Sequence, residues 1–290
     1  MFSIKQNKEN MSLSVTKKLP LKFTLPSQPE LLLALQKEMS KGDANIVKIG
    51  QMISEDVAIS AAVLRTINSS FFGMKVDVSS IQHAVNLMGV EATTNIVTAY
   101  ALEQSVRSEV VSLPRYWDAA KNTANLCAYV ANRLKIHEPS EPYMLGLFHD
   151  IGIPLMASRF PDYLEVLTKA NAQEDGRVTE FEDAAYDTNH AVMGYYLCRE
   201  WGLSENIRQA ISMHHDCAPI LSPSNKSDDE AAILMAILKL SEWGDDVYRT
   251  GYSGADWQRH GGAVLDYLGL SEDDSLDLLE NMKEVLLDSQ

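Results

Sequence analysis

The sequence predicts an all-α fold, on three observations. Apolar residues recur at steps of three and four along most of the chain, as in Leu31, Leu32, Leu35 and Met39. No segment sustains the period-two alternation of a half-buried strand. Pro, Gly, Asp and Asn tend to fall between the periodic runs, where helices start and stop.

The elements follow in order. Residues 1–25 hold five lysines against one glutamate, with little periodicity, and read as a basic, flexible tail. Pro29 suits a helix start, where its missing N–H costs nothing. Asp43 or Asn45 can cap a second helix carrying Ile46, Ile49 and Ile53. Asp56 can cap a third, with Ala58, Ala61, Ala62, Leu64 and Ile67. The polar stretch Asn68–Ser80 is expected to be a loop. Helices resume at 81–88 and 91–106, with Gly89 as the stop between them.

Pro114 marks the expected join between two lobes. A long helix follows over 116–134, and Pro139 and Pro142 bracket a break. Further helices are expected at 143–158, 161–172, 178–186, 189–201, 204–214, 229–248, 255–267 and 272–288. Ser222–Glu230 reads as an exposed loop. In the last helix Leu276, Leu279, Met282, Val285 and Leu286 form an apolar stripe opposite an acidic face. Phe71 and Phe72 are expected to pack between lobes, and Trp201 and Trp243 to lie in the core. The predicted organisation is a tail (1–25), an N-terminal helical lobe (26–113), a second helical lobe (114–221), and a loop with C-terminal helices packing on that lobe (222–290).

Composition narrows the function classes. Of 290 residues, 46% are hydrophobic and 22% charged, which is globular rather than disordered. The 25 Lys+Arg against 40 Asp+Glu give a net charge of −15. That balance argues against a nucleic-acid partner, which usually calls for a basic face. Three cysteines without a C-x-x-C pair point to a reducing compartment rather than a disulfide framework. The N-terminus lacks the apolar core of a signal peptide. The longest apolar run, Ala231–Leu238, is far short of the roughly 20 residues that span a bilayer. A cytoplasmic protein is the expectation.

The candidate chemistry lies in histidines that end apolar stripes. His149 and Asp150 stand together in Leu145-Gly-Leu-Phe-His-Asp-Ile-Gly152 and offer a metal two ligands of different type, an imidazole nitrogen and a carboxylate oxygen. His190 shares a helical face with Met193, Gly194, Leu197 and Trp201. His214 ends the stripe of Ile207, Ala210 and Ile211, and His215 is its neighbour. Singly, each reads as a core or capping histidine. Three separate segments ending alike suggest one shared polar site.

These motifs, in this order, resemble the HDOD proteins, the HD-related output domains of bacterial signalling. The first half of the resemblance rests on Leu25-Pro-Ser-Gln-Pro29, Ile53-Ser-Glu-Asp-Val57, Ala61-Ala-Val-Leu-Arg65, Ile67-Asn-Ser-Ser70 and Ser80-Ile-Gln-His-Ala-Val-Asn-Leu-Met-Gly89. The second half rests on the His149–Asp150 segment, His190-Ala-Val-Met-Gly194, Trp201-Gly-Leu-Ser204 and Ala210-Ile-Ser-Met-His-His215. The resemblance covers about residues 20–220. It implies a helical lobe packed on one like the HD metal-dependent phosphohydrolases.

Carried over by position, the resemblance implies His149, Asp150, His190, His214 and His215 as metal ligands. The early histidine of the hydrolases is absent from Asp118-Ala-Ala-Lys-Asn122, where Ala119 or a neighbour stands in its place. The late aspartate has Glu242 as its nearest carboxylate. The Gly-Tyr-Pro motif of the cyclic-di-GMP hydrolases is missing, since the chain reads His215-Asp-Cys-Ala-Pro219 there. The implied function is a non-catalytic signal-transduction module acting through a kinase, cyclase or regulator, or through a small ligand. The alternative is a metal-dependent phosphohydrolase using the remaining ligands, with Fe, Mn, Mg or Ni as the divalent ion.

Overall fold

The computed structural model describes residues 25–41, 44–107, 114–173, 177–217, 220–221 and 229–287. Among these all regular structure is helical. The basic tail before Leu25, Asp43 and most of the Ser222–Glu230 loop lie outside the described residues. Helices α1 (Glu30–Met39), α2 (Ile46–Ser54), α3 (Val57–Ile67), α4 (Ile81–Met88) and α5 (Val90–Arg107) pack on one another. Next come α6 (Pro114–Leu134), α7 (Ser140–Phe148), α8 (Gly152–Arg159), α9 (Tyr163–Asn171), α10 (Val178–Tyr186), α11 (His190–Glu200) and α12 (Glu205–Met213). The chain continues with α13 (Glu230–Thr250), α14 (Ala255–Leu268) and α15 (Glu272–Leu287).

Local chemistry accounts for the helix starts. The Asn45 side chain accepts from the Lys48 N–H and Asp56 from Ile59. Ser80, Asn189 and Ser204 do the same for α4, α11 and α12. Each such cap stabilises by about 1 kcal/mol. Asn68 ends α3 and bonds both the N–H and the carbonyl of Val78, so it clamps the connection that follows. That connection is not wholly irregular, because Ser70–Phe72 form a turn of 3-10 helix.

Packing accounts for the assembly. α5 lies on α7, and the 3-10 turn lies on α6. Phe71 and Phe72 are buried there, with the Phe72 ring 5.6 Å from Tyr143. They serve packing rather than an exposed anchor. Trp201 is fully buried and donates its indole N–H to the Pro26 carbonyl at 2.9 Å. Gln36 Nε2 donates to the Trp201 carbonyl at 3.1 Å. The motifs at Leu25–Pro29 and Trp201–Ser204, 175 residues apart, therefore meet. Trp243 is buried against Trp257, ring centroids 4.1 Å apart. One apolar core runs through the whole assembly.

Two expectations are corrected. The single helix over 143–158 is two, α7 and α8, broken at His149-Asp150-Ile151. Gly152 lets the second start against α11, since a Cβ there would lie 1.9 Å from the His190 carbonyl oxygen. Leu276 leaves the predicted stripe of α15 and is 54% exposed, while Leu278, Leu279, Met282 and Leu286 are buried. The burying face is set by where α13 and α6 contact the helix, one position round from the stripe that spacing selects.

Candidate metal centre

The turn between α7 and α8 carries the His–Asp pair. The His149 N–H donates to the Leu145 carbonyl as α7 ends, and the Ile153 N–H to the Asp150 carbonyl as α8 begins. Close approach on both sides holds this turn. A Cβ on Gly146 would sit 2.7 Å from the Ala124 Cα of α6, and one on Gly152 would overlap the α11 backbone. His190 is the first residue of α11, and His214 and His215 follow α12 directly. Packing of α11 on α8 and on α12 brings three helix ends to one point.

One ligand atom each from Asp150, His190, His214 and His215 lies within 4.8 Å of the other three. Asp150 Oδ1 is 3.1 Å from His214 Nε2 and 3.3 Å from His190 Nε2. His190 Nε2 is 2.9 Å from His215 Nε2 and 3.4 Å from His214 Nε2. The remaining ring nitrogens fix the tautomers. His190 Nδ1–H donates to Glu182 Oε2 at 2.7 Å, and His214 Nδ1–H to the Ile211 carbonyl at 2.7 Å. Each ring then turns its Nε2 lone pair to the centre. Facing lone pairs 3.4 Å apart repel unless a cation, proton or metal lies among them. Three imidazoles and a carboxylate are an ordinary donor set for a divalent transition metal, so the residues fit one.

His149 and Glu242 stand to the other side of Asp150. His149 Nδ1–H donates to the Gly146 carbonyl, and its Nε2 is 3.3 Å from Asp150 Oδ2 and 3.4 Å from Glu242 Oε1. Ala119, Ala120 and Thr123 of α6 line the same cavity, of about 310 Å³, so no imidazole arrives from that helix.

The charges are mutually arranged. Burial opposes charge on His149, but Asp150 and Glu242 outweigh it and raise its pKa to about 9. Burial opposes charge on His190 too, and Glu182 and Asp150 raise it to about 10. Burial holds His214 and His215 below the usual imidazole range. Burial acts to raise the Asp150 pKa, but His149, His190 and His214 hold it well below the usual carboxylate range.

Sequence reasoning missed three participants. Glu182 of α10 is fully buried, accepts the Tyr163 hydroxyl, and takes both the backbone N–H and the Nδ1–H of His190. Lys239 and Asp256 form an ion pair beside Glu242. Nothing local marks Glu182 or Asp256, and the one local mark of Lys239 is its i,i+3 spacing to Glu242. Glu182 lies eight residues before His190 on another helix, and Lys239 sits in an otherwise apolar helix run.

Comparison with known proteins adds the lineage. The HDOD domain model matches residues 25–217. The chain belongs to the HDOD family. An uncharacterized protein of Treponema pallidum (strain Nichols) is 26% identical to this HDOD protein over 193 residues, 66% of this chain and 38% of that one. The Bacillus subtilis protein YuxH is 25% identical over 114 residues, 39% of this chain and 28% of its own. The chain thus matches well under half the length of these curated relatives.

Solved structures share the fold. An HDOD domain protein with unknown function from Geobacter sulfurreducens superimposes with a TM-score of 0.68 at 20% identity, over 97% of this chain and 96% of that one. A Shewanella amazonensis SB2B protein, provisionally called a phosphohydrolase, gives 0.64 at 20% identity, over 94% and 93%. A Marinobacter aquaeolei VT8 protein, provisionally called a signal transduction protein, gives 0.65 at 18% identity, over 97% and 64%. No described helix is long and apolar enough to cross a membrane.

Proposed function

We propose that this HDOD protein is a non-catalytic signal-transduction output module whose second helical lobe is built round one divalent ion held by Asp150, His190, His214 and His215. The convergence of those four ligand atoms within 4.8 Å carries the reading. Four protein donors would fill a four-ligand site, which is the pattern of structural rather than catalytic zinc. When bound, a divalent ion supplies charge neutralisation among the facing lone pairs. The protein's own residues do the positioning. Glu182 holds His190 in one tautomer and orientation, and Asp150 ties three imidazoles together. The module acts on signalling partners through its surface or through a small ligand in the cleft between α3 and α6, where Arg65, Ser70 and Asn125 meet.

The second reading, a metal-dependent phosphohydrolase, is favoured by the cavity beside Asp150, which Arg177 and Arg249 line. An ion preferring six ligands would keep two positions for water and substrate. The test is turnover of a phosphate-ester panel with Mn²⁺, Fe²⁺ or Mg²⁺, alongside metal analysis of protein purified without chelator. The expected result is about one ion per chain and no turnover above a metal-only blank. Hydrolysis abolished by Asp150→Ala would sink the non-catalytic reading. Chelation is expected to remove about 4 kcal/mol of stability if the ion was present at about a thousand times its Kd, lowering Tm by roughly 8 °C.

Outer residues carry a prediction of their own. Glu182→Gln keeps the size but loses the charge opposite His190 Nδ1–H. Divalent-ion affinity is expected to fall 10- to 100-fold, read by calorimetric titration with Mn²⁺. An unchanged Kd would show that Glu182 serves folding alone.

A further inference from the structure

The Asp150 carboxylate has two faces. Oδ1 meets the cluster of His190 and His214, and Oδ2 meets His149 with Glu242 beyond it. A second cation on the Oδ2 side would draw on Asp150, His149 and Glu242. Two further donors stand near. Asp256 lies on α14, and so does His260, which is 8% exposed, has neither ring nitrogen hydrogen-bonded, and lies 3.9 Å from Asp256. Two of these donors, Glu242 and Asp256, are already served by a cation of the protein's own. Lys239, one turn before Glu242 on α13 and 3% exposed, places its ammonium 2.7 Å from Glu242 Oε2 and 2.7 Å from Asp256 Oδ2.

We propose that the centre takes a single divalent ion because the Lys239 ammonium stands in for a second one on the Oδ2 side of Asp150. The inference rests on the metal centre proposed above. Its physical content is electrostatic and geometric. A divalent ion entering between His149 and Glu242 would meet a buried positive charge at short range, where water screens little. It would also compete for a carboxylate that already has its counter-ion. From α6 it would find Tyr116, Ala119, Ala120 and Thr123, and so neither an imidazole nor a carboxylate. An ammonium has no open coordination position, so it balances the charge of Glu242 and Asp256 without activating water. The paired-ion clamp that stabilises both attacking and leaving oxygens in two-metal phosphoesterases is therefore unavailable to this chain.

The experiment counts Mn²⁺ by calorimetry and elemental analysis after gel filtration, with electron paramagnetic resonance on the same samples. The full chain is expected to hold one ion with the spectrum of an isolated Mn²⁺. Lys239→Met frees both carboxylates, and Lys239→Gln/Asp256→Asn frees Glu242 at unchanged net charge. Either variant, once shown to be folded by circular dichroism, is expected to hold two ions with the broadened signal of a coupled pair. Two ions in the unmodified chain, or one in both folded variants, would overturn the inference. Should neither variant fold, single substitutions decide. His190→Ala is expected to weaken Mn²⁺ binding at least 100-fold and His149→Ala less than threefold, and equal losses overturn the assignment. A count of zero in the unmodified chain removes the metal centre and the lysine's role with it, whereas a count of two removes the lysine's role alone.

Discussion

Replacing Asp150 by alanine is expected to abolish divalent-ion binding and to cost the metal-free protein about 3 kcal/mol near pH 6. Among the described residues Asp150 is the one side chain in contact with three imidazole Nε2 atoms, at 3.1 to 3.3 Å. Removing one partner of a buried charge pair costs about 3–5 kcal/mol. The lower end applies here because Glu182 still faces His190 and Glu242 still faces His149. Urea unfolding gives the stability, and calorimetric titration gives the ion affinity. Retained Mn²⁺ affinity in the variant would remove Asp150 from the ligand set.

The same carboxylate sets the pH response of the metal-free protein. His149 and His190 have folded pKa values of about 9 and 10, above their ordinary 6.5. Their stabilisation is complete below pH 6.5 and is lost as pH rises through 9 to 10. Asp150 is lowered, so its contribution is present above its ordinary 3.8 and is lost on acidification. Chelated protein should therefore melt highest on the acid side of neutrality and lower as pH climbs to 10. The Asp150→Ala variant should show a shallower alkaline fall, because the largest attraction raising His149 is gone. Bound metal should reverse the alkaline trend, since ligands must shed protons to bind it. A Tm of the chelated protein independent of pH from 6 to 10 would contradict this account.

Gly152→Ala should be the most disruptive of single-methyl changes. A Cβ at 152 would sit 1.9 Å from the His190 carbonyl oxygen and 2.6 Å from its Cα. Both neighbours are main chain, so no side chain can swing aside. Overpacking usually costs 1–3 kcal/mol, and a backbone obstacle places this site at the top of that range, about 3 kcal/mol. Relief by moving α8 off α11 would separate Asp150 from His190, so ion affinity should fall along with stability. A urea midpoint unchanged from the parent would show that the two helices can part without loss. Gly89→Ala is a useful contrast for space alone, because nothing lies within 4 Å of a Cβ there, although its φ of +89° adds backbone strain.

Much of the fold was legible because the signals for it are local. Asp56, and Asn45 as one of two candidates, were read as caps, and both side chains accept the first free N–H groups of their helices. His190 and His214 were assigned to buried faces from helical spacing, and both are buried. The break at His149-Asp150-Ile151 was not legible. Its cause is the backbone of α11 forty residues on, and the local composition reads as continuous helix. Leu276 was misplaced for a related reason. Periodicity defines a stripe to within about a residue, whereas the packed neighbours α13 and α6 choose the face.

The amino-acid sequence by itself determined the helical class, most helix boundaries, the family motifs and the absence of a histidine near Ala119. These depend on side chains acting within a turn or two of themselves. Only the tertiary structure decided that Asp150 has two faces, that Glu182 orients His190, and that Lys239 neutralises Glu242 and Asp256. Apart from Lys239 and Glu242, one turn apart on α13, those relations join residues from separate segments whose spacing in the chain carries no signature. Packing brings them to 2.7–3.3 Å, and at that distance charge and lone-pair direction govern what the site can hold.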